Sequence, residues 1–395
     1  MASLARPCRA GPEASPSAVV EALRRHADGW RARFGSRPAA EQVLRHLFAC
    51  GTGELGVHDC VCGACGWSGT AGNSCRDRHC PRCQGGASAA WLAARTARML
   101  PVPHFQVVFT LPAELRPIAL ANRALVYDLL FKAGVGVLQD LARERMDARL
   151  GITAVLHTWT SDLTLHPHVH CLVTAGGLSL DDERWVPTRE GYLFPQRILA
   201  ALFRGRFLAG LIDALDAGAL TPPSAPPDHT KRLRTTIREL SKRHTRWVVH
   251  VEPPHGRPVE HVVKYLARYV KRVAISDARI VEVTDTTVTF RTKTGLVTVD
   301  GAEFVRRFVL HVLPKGFRKV RHAGLYAPGN SRERQALARA LLPAEADPPA
   351  PLDPAAPVEA AEPKAERCPA CGEPGVRRIF RGFGPTPSPV ARGPP

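Results

Sequence analysis

The chain has 395 residues, of which 45% are hydrophobic and 23% are charged, and its formal net charge at pH 7 is +18. This length predicts two or three compact units, and the lack of any run approaching about 18 apolar residues excludes an integral membrane protein. The basic excess predicts a polyanionic partner, and the lack of an apolar signal segment after Met1 predicts a cytoplasmic location.

The first predicted elements are one or two helices over residues 15–48. Apolar residues such as Val19, Leu23 and Leu47 recur there at helical spacing, which is typical of helices that contribute one face to a core. We therefore predict an N-terminal helical segment over residues 1–49.

The next segment is rich in cysteine, because seven of the eleven cysteines lie between Cys50 and Cys83. It contains few large apolar side chains, so it needs a metal ion in order to fold. Two C-x-x-C pairs with 14 residues between them are typical of a tetrahedral structural Zn²⁺ site. We predict a zinc-binding domain over residues 50–100, and its four thiolate ligands are Cys62, Cys65, Cys80 and Cys83.

Other residues offer ligands for a second ion. The candidates in the same segment are Cys50, His58, Cys60, Cys75 and His79. A third C-x-x-C pair, Cys368 and Cys371, is half a site, which could complete a zinc site in a dimer, pair with other thiols or stay without metal. The sequence around this pair is rich in Pro and Ala, so we predict a disordered tail over residues 329–395.

Helix and strand patterns alternate along the central part of the chain. The predicted helices lie at 87–100, 114–150, 195–215, 231–243 and 259–273. The predicted strands lie at 104–111, 152–160, 169–174, 246–252, 279–283, 288–292 and 296–299, before a last basic segment at 303–322. Antiparallel hairpins mixed with helices in this order predict an α+β fold.

Three histidines of the predicted hairpin are candidate metal ligands. His168 and His170 lie two residues apart on one strand, so both imidazoles point to the same face of the sheet. A tight turn would place His157 opposite His170, at a cross-strand Cβ distance of about 5 Å. The hairpin therefore predicts a site for a divalent ion.

The helix at 259–273 carries two of the chain's five tyrosines, Tyr265 and Tyr269. Their spacing of four residues places both phenols on one helix face. Taken alone, this helix also fits two boundary tyrosines with buried rings and solvated hydroxyls.

Together these motifs resemble the HUH endonuclease superfamily, and most closely its two-tyrosine rolling-circle transposases of bacterial insertion sequences. The resemblance covers roughly residues 40–328. It rests on the cysteine-rich segment Asn73–Gln84, the His-Pro-His-Val-His-Cys strand at 166–171, the Tyr-x-x-x-Tyr helix and the His-Val-Leu-Pro-Lys-Gly-Phe sequence at 311–317. It implies an HUH-type antiparallel sheet with helices over residues 101–328, preceded by a zinc-ribbon-like segment.

The resemblance also implies a reaction. Such a transposase cleaves and rejoins single-stranded DNA through 5′-phosphotyrosine intermediates, with Tyr265 and Tyr269 as nucleophiles. It moves an insertion sequence by a rolling-circle-like route.

The implied catalytic ion is Mg²⁺ or Mn²⁺, held by His168 and His170. Two sources of a third ligand stay open. Relaxases of the superfamily use an upstream histidine, which favours His157, whereas small single-tyrosine members draw the ligand from the tyrosine helix, which favours His261 or Glu260.

The expected partner is DNA, mainly single-stranded and at the ends of the element, and no membrane partner is expected. Residues 228–272 carry twelve Lys or Arg against four Asp or Glu, and residues 301–334 carry eight against two, so both blocks favour phosphate contacts. The predicted DNA contacts on the tyrosine helix are Lys264, Arg268, Lys271 and Arg272. Candidate residues for stacking on bases are Trp159, Trp247 and Phe317.

Two other functions fit part of the pattern. A plasmid-type replication initiator or relaxase would use the same chemistry in another biological role. A non-catalytic zinc-dependent DNA-binding protein would explain the charge and the cysteines, but it leaves the paired histidines and tyrosines without a role.

Overall fold

The structure is a computed structural model that describes residues 17–83, 95–221, 229–242, 247–254, 274–329, 331–342, 368–373 and 376–380. The predicted tyrosine helix at 259–273, with Tyr265, Tyr269 and the four predicted DNA-contact residues, lies outside the described residues. So do the two alternative metal ligands, Glu260 and His261.

Helices and antiparallel strands are mixed along the chain, so the predicted α+β class is confirmed. The α-helices of the described residues are α1 (Ala18–Phe34), α2 (Pro38–Ala49), α3 (Arg116–Ala121), α4 (Arg123–Met146), α5 (Gln196–Asp216), α6 (His229–Ser241), α7 (Gly301–Val309) and α8 (Ser331–Ala340). The strands are β1 (Val57–Cys62), β2 (Ser68–Gly72), β3 (His104–Thr110), β4 (Ala148–Trp159), β5 (Leu165–Ser179), β6 (Trp185–Pro187), β7 (Val248–Glu252), β8 (Ile280–Val283), β9 (Thr287–Arg291), β10 (Leu296–Asp300), β11 (Val320–Gly324) and β12 (Val376–Phe380).

A six-stranded antiparallel sheet forms the centre of the molecule, with strand order β11-β4-β5-β3-β7 and with β6 paired to β5. Alternate residues of its strands, such as Phe105, Phe109 and Val169, point to one face and are buried there. Helices α3 to α6 cover that face with their own apolar side chains. The polar residues that alternate with these apolar strand residues point to the opposite face of the sheet, which carries the predicted histidines.

A second core brings the N-terminal helices together with a distant part of the chain. Helices α1 and α2 pack against α7 and the small sheet β10-β9-β8. Large buried side chains such as Trp30, Phe304 and Phe308 fill the interface, and the Phe290 ring lies 5.9 Å from that of Phe304. The helices of the first 49 residues therefore share their core with residues 274–312.

Two stretches of the tail expected to be disordered have defined structure. Helix α8 places Ala338 in a third apolar cluster with Met99 and Leu100, and β12 pairs with β1 to give a sheet of order β12-β1-β2. The expectation was wrong at these positions because the segments that pair with them lie far away in sequence. No helix in the described part of the chain is long and apolar enough to cross a membrane.

Candidate functional site

The predicted histidine pair lies on β5, and both residues point to the sheet face opposite the helices. In the antiparallel pairing of β4 and β5, His157 lies opposite His168, and His170 lies opposite Val155. The expected pairing of His157 with His170 was therefore wrong by two residues. Because side chains alternate with a period of two, this shift leaves His157 on the same face as the pair.

The hairpin also contains a local irregularity of register. β5 contains one residue more than β4 between the pairs His157–His168 and Trp159–Leu165. Pro167 is one of the two β5 residues in this interval. Proline has no backbone N–H to donate to the ladder, and such residues occur at bulges. The Pro167 carbonyl instead accepts a hydrogen bond from the Leu111 N–H at 3.2 Å, which fixes the bulge against the end of β3.

The three imidazoles form a compact cluster. One ring nitrogen from each of His157, His168 and His170 lies within 4.8 Å of the others. His157 Nδ1 lies 2.8 Å from His168 Nε2, and the rings of His168 and His170 are 5.0 Å apart. A ligand set of this size, with further coordination positions left open, is typical of a catalytic metal site rather than of a closed structural one.

The backbone fixes how His168 presents its ring. His168 Nδ1 lies 2.6 Å from the carbonyl oxygen of His166, and because a carbonyl only accepts, Nδ1 carries the proton. Its Nε2 lone pair therefore faces the cluster, as in metal-ligating histidines whose other nitrogen donates to a carbonyl. On the other side, the Gln106 amide lies 3.5 Å from His170 Nδ1.

All three imidazoles are held in the neutral form that binds metal. Burial, followed by the charge of His170, lowers the pKa of His168 to about 3. Burial and the nearby Lys293 lower the pKa of His170 to about 4, and burial lowers the pKa of His157 well below its usual value. No proton has to leave these nitrogens before a cation binds at neutral pH.

The turn between β4 and β5 is anchored outside its own sheet. Leu163, which has a left-handed backbone conformation with φ of 65°, is fully buried in the second core. That core also contains Cys50 and Cys80. The two strands that carry the histidines are therefore joined by a turn whose tip is buried in the core to which the cysteine-rich segment also contributes.

Three side chains bind the successive carbonyls of residues 161–163, and we call them the turn clamp. Arg279 donates to the first carbonyl, Arg307 Nη1 to the second at 2.9 Å, and His311 Nε2 to the third at 3.1 Å. The other nitrogen of His311 lies 3.2 Å from Thr158 Oγ1. The clamp ties the hairpin to the second core immediately beside His157.

Eight of the described cysteines form two clusters of four rather than the single predicted site. The first cluster contains Cys50, Cys75, Cys80 and Cys83, whose sulfur atoms lie 3.6–3.7 Å apart where they contact one another. Tetrahedral coordination with a Zn–S distance of about 2.3 Å requires sulfur atoms about 3.8 Å apart. The geometry therefore fits one Zn²⁺ bound by four thiolates.

The second cluster combines the first C-x-x-C pair with the C-terminal pair. It contains Cys62, Cys65, Cys368 and Cys371. The Cys62 and Cys371 sulfur atoms lie 3.8 Å apart, and those of Cys65 and Cys368 lie 3.6 Å apart. This geometry meets the same tetrahedral requirement.

The predicted ligand set of Cys62, Cys65, Cys80 and Cys83 was therefore wrong as one site, although each residue belongs to a cluster. Cys62 is the last residue of β1 and Cys65 follows it, whereas Cys80 and Cys83 fold back onto the end of α2 beside Cys50. Two of the further candidates, Cys50 and Cys75, do join a cluster. The histidines do not, since His58 Nδ1 lies 2.9 Å from Asn73 Oδ1 and His79 Nδ1 lies 2.8 Å from Asp77 Oδ1.

Comparison with known proteins places these sites in a family. A model described as "Transposase zinc-binding domain" matches residues 22–111, and a model described as "Putative transposase" matches residues 151–335. The protein named "Putative transposase y4qJ" from Sinorhizobium fredii (strain NBRC 101917 / NGR234) is 42% identical over 343 residues, which cover 84% of each chain. This chain belongs to the IS91/IS801-type transposases.

A second relative is the transposase for insertion sequence element IS801 from Pseudomonas savastanoi pv. phaseolicola. It is 32% identical over 309 residues, which cover 74% of this chain and 72% of the relative. No solved structure matches the chain. The first cysteine cluster lies within the zinc-binding match and the three histidines lie within the other, whereas Cys368 and Cys371 lie outside both.

The zinc-binding domain of the transposase also contacts the segment that precedes β11 of the central sheet. Arg78 Nη1 donates to the Phe317 carbonyl at 2.9 Å. The neighbouring Asp77 bonds to both His79 and His46, and although burial opposes ionisation, the hydrogen bond and charge of His79 lower the pKa of Asp77 to about 2. Asp77 therefore remains an anion that orders this part of the zinc-binding domain.

The predicted base-stacking residues of the transposase have structural roles instead. Trp247 and Phe317 are buried in the main core, at 7% and 8% exposure, and Trp159 is 8% exposed. Lys319 Nζ lies 4.8 Å from the Trp159 ring centre, and that ring lies 4.0 Å from the His157 ring. Trp159 therefore supports the histidine face, whereas Trp247 and Phe317 stabilise the main core.

Replacing Arg307 of the turn clamp by Ala should lower the free energy of unfolding by about 2 kcal/mol, the usual value for a partly buried hydrogen bond from a charged donor. Urea unfolding of the full chain measures this change. Arg306→Ala is the matched control, because Arg306 pairs with the same Glu303 but contacts the Phe34 ring rather than the turn. Equal losses in the two variants would contradict a specific role of the clamp.

Proposed function

We propose that this transposase cleaves and rejoins single-stranded DNA at the ends of its element through 5′-phosphotyrosine intermediates. The observation that carries the proposal is the cluster of three neutral imidazoles, His157, His168 and His170, on one sheet face. Such a cluster fits a divalent cation, and the structural elements that hold it are rigid strands.

The donor set fits a catalytic Mn²⁺ or Mg²⁺, with Mn²⁺ the better match because Mg²⁺ prefers oxygen ligands. When bound there, the ion would supply a positive centre for the charge that develops on the scissile phosphate. The protein's own contribution is to hold three neutral nitrogens in fixed positions. The charge of Lys293 contributes to the lowered pKa values of His168 and His170, so this side chain adds a cation near the cluster.

We assign the nucleophile to Tyr265 and Tyr269. Attack of a phenol oxygen on phosphorus forms the tyrosine–phosphate bond and breaks the bond to the 3′ oxygen, which leaves as a hydroxyl after taking up a proton. One phosphoester bond replaces another, so a free 3′-hydroxyl can reverse the step onto a new strand. Two tyrosines allow two such linkages in succession.

Two of the three remaining tyrosines are unsuited to the reaction, whereas the third, Tyr192, is 47% exposed. Tyr127 and Tyr326 are 1% and 3% exposed, and burial raises the pKa of each to about 12. The Tyr326 hydroxyl also accepts a hydrogen bond from the Leu100 N–H at 3.0 Å and lies 2.9 Å from His104 Nε2. Neither phenol is suited to attack a DNA strand.

The path of the chain also supports the assignment. Strand β7 shares the sheet of the histidines and ends at Glu252, shortly before the segment that carries the two tyrosines. The described chain resumes at Ala274, and Arg279 soon afterwards contacts the β4–β5 turn. Both ends of the tyrosine segment therefore lie near elements that hold the histidine face.

DNA is the proposed substrate, and the proposed contacts on the tyrosine segment are Lys264, Arg268, Lys271 and Arg272. The second basic block contributes less than its charge suggests. Arg307 binds Glu303 and the turn, and Arg321 pairs with Asp128. Basic side chains that pair with groups of their own chain are not available to DNA phosphates. The tyrosine segment is therefore the stronger candidate for the DNA contact.

Incubating the full chain and Mn²⁺ with single-stranded oligonucleotides that carry the element's ends tests the proposal. A protein–DNA adduct should survive denaturing electrophoresis, and peptide mapping should place the 5′ phosphate on Tyr265 or Tyr269. Binding without an adduct would favour the non-catalytic DNA-binding alternative. Cleavage that leaves no covalent intermediate would contradict the proposed chemistry.

A further inference from the structure

We propose that Cys62, Cys65, Cys368 and Cys371 bind a second structural Zn²⁺, which joins the C-terminal tail to the N-terminal zinc-binding domain of the same chain. The site is independent of the first cluster and of the DNA reaction. Two of its four ligands lie beyond residue 335, where the family match ends.

The sulfur geometry is that of a metal site rather than of disulfides. The two close contacts across the cluster, Cys62 to Cys371 and Cys65 to Cys368, measure 3.8 and 3.6 Å. A disulfide requires about 2.05 Å, whereas four thiolates around zinc lie about 3.8 Å apart. Each of these two contacts joins a cysteine of one C-x-x-C pair to a cysteine of the other. This arrangement is expected when each pair supplies two corners of one tetrahedron.

The two pairs also share sequence and backbone geometry. Both have the form Cys-x-Ala-Cys-Gly, and the glycines Gly66 and Gly372 adopt left-handed φ angles of 71° and 74°. The Gly66 N–H donates to the Cys62 carbonyl at 3.1 Å, and the Gly372 N–H donates to the Cys368 carbonyl at 2.9 Å. This conformation favours glycine and turns each pair tightly around its sulfur atoms. The pair Cys80 and Cys83 lacks the glycine, which separates the two kinds of site.

The tail pair continues into a strand that fits the same domain. Strand β12 pairs with β1 along five residues, from His58 opposite Phe380 to Cys62 opposite Val376. The zinc site therefore lies at the end of β1 where the pairing stops. A five-residue strand with two arginines buries little apolar surface. It therefore needs a bound metal ion at this end to hold the tail, whose attachment closes a loop of about 300 residues.

The two cysteine clusters differ in exposure. In the second cluster Cys65 and Cys371 are exposed, whereas in the first Cys50 and Cys80 are buried within the second core. A chelator should therefore reach the second ion first. Its removal should free β12 from β1 and leave the first cluster and the central sheet folded.

Metal analysis of the purified full chain tests the second site. The double variant Cys368→Ser/Cys371→Ser should contain one zinc fewer per chain than the wild type. The matched control is Cys171→Ala, which removes a buried thiol outside both clusters and should keep the wild-type zinc content. In Co²⁺-loaded protein the thiolate charge-transfer absorption, to which histidine ligands do not contribute, should fall by half in the double variant. Unchanged zinc content and absorption would overturn the proposal.

Hydrogen exchange separates loss of the metal from loss of the fold. In the double variant the amides of β1 and β12 should exchange faster, while those of β4 and β5 keep their protection. An equimolar mixture of this variant with Cys62→Ser/Cys65→Ser then tests whether the site lies within one chain. The zinc deficit should persist in the mixture, and its recovery would overturn the intrachain site in favour of one shared between two copies.

Discussion

Replacing His170 by Ala should reduce cleavage of single-stranded DNA about a thousandfold while leaving DNA affinity nearly unchanged. The variant removes one of the three proposed nitrogen ligands, and the loss of a metal's charge stabilisation costs several kcal/mol in the transition state, at about 1.4 kcal/mol per tenfold in rate. Affinity depends mainly on basic residues and phosphates, which the substitution leaves in place. Single-turnover cleavage and filter binding on the same oligonucleotide measure the two effects separately.

His322→Ala is the matched control for this prediction. His322 lies on β11 of the same sheet, and its Nδ1 is 3.3 Å from Thr153 Oγ1, outside the three-histidine cluster. It should keep nearly full cleavage. Full activity of His170→Ala would remove the metal assignment.

Replacing His157 by Ala distinguishes the two sources of the third ligand. If the β4 histidine binds the ion, this variant should lose cleavage to the same extent as His170→Ala. Near-normal cleavage in His157→Ala, with loss in Glu260→Ala or His261→Ala, would place the third ligand on the tyrosine segment instead. The 2.8 Å separation of His157 and His168 ring nitrogens favours the first outcome.

Replacing Tyr265 and Tyr269 together by Phe should eliminate the covalent protein–DNA adduct. Phe keeps the ring and its packing and removes the hydroxyl that forms the phosphoester bond. The single variants should be unequal in the first cleavage, because only one of the two proposed nucleophiles attacks first, and both should impair complete transposition. Adduct formation on denaturing gels and a cellular transposition assay measure the two stages.

Tyr192→Phe serves as the control phenol. Tyr192 is 47% exposed and lies between β6 and α5, so its hydroxyl is accessible to solvent but belongs to another part of the chain. Its loss should leave adduct formation unchanged. An adduct that persists in the Tyr265→Phe/Tyr269→Phe variant would place the nucleophile elsewhere.

Local periodicity was sufficient to predict the common face of His168 and His170, because alternation within a strand needs no knowledge of its partners. The residue opposite His157 was predicted wrongly, because it depends on where the turn lies and on the extra residue of the bulge at Pro167. The turn clamp could not be predicted in this way. Arg279 and Arg307 contribute to a basic sequence, and only the folded chain brings them to carbonyls more than a hundred residues away.

The grouping of the zinc ligands could not be predicted from local sequence either. Spacing identified the C-x-x-C pairs, but several partitions of cysteines into tetrahedral sites are compatible with one sequence. The glycine that follows Cys65 and Cys371 was a usable signal, because it marks the two pairs as alike. The partner of Cys62 lies 309 positions further along the chain, and no local pattern specifies such a contact.

The pairing of β1 with β12 has a consequence for synthesis on the ribosome. At about 5–20 residues per second, β12 emerges roughly 15–60 s after β1, so for that time one edge of β1 and two thiols have no partner from their own chain. An open strand edge is a site for pairing with other chains. A product that stops before Cys368 would retain the residues of the histidine cluster while leaving this edge exposed, so translation to the last strand protects the first one.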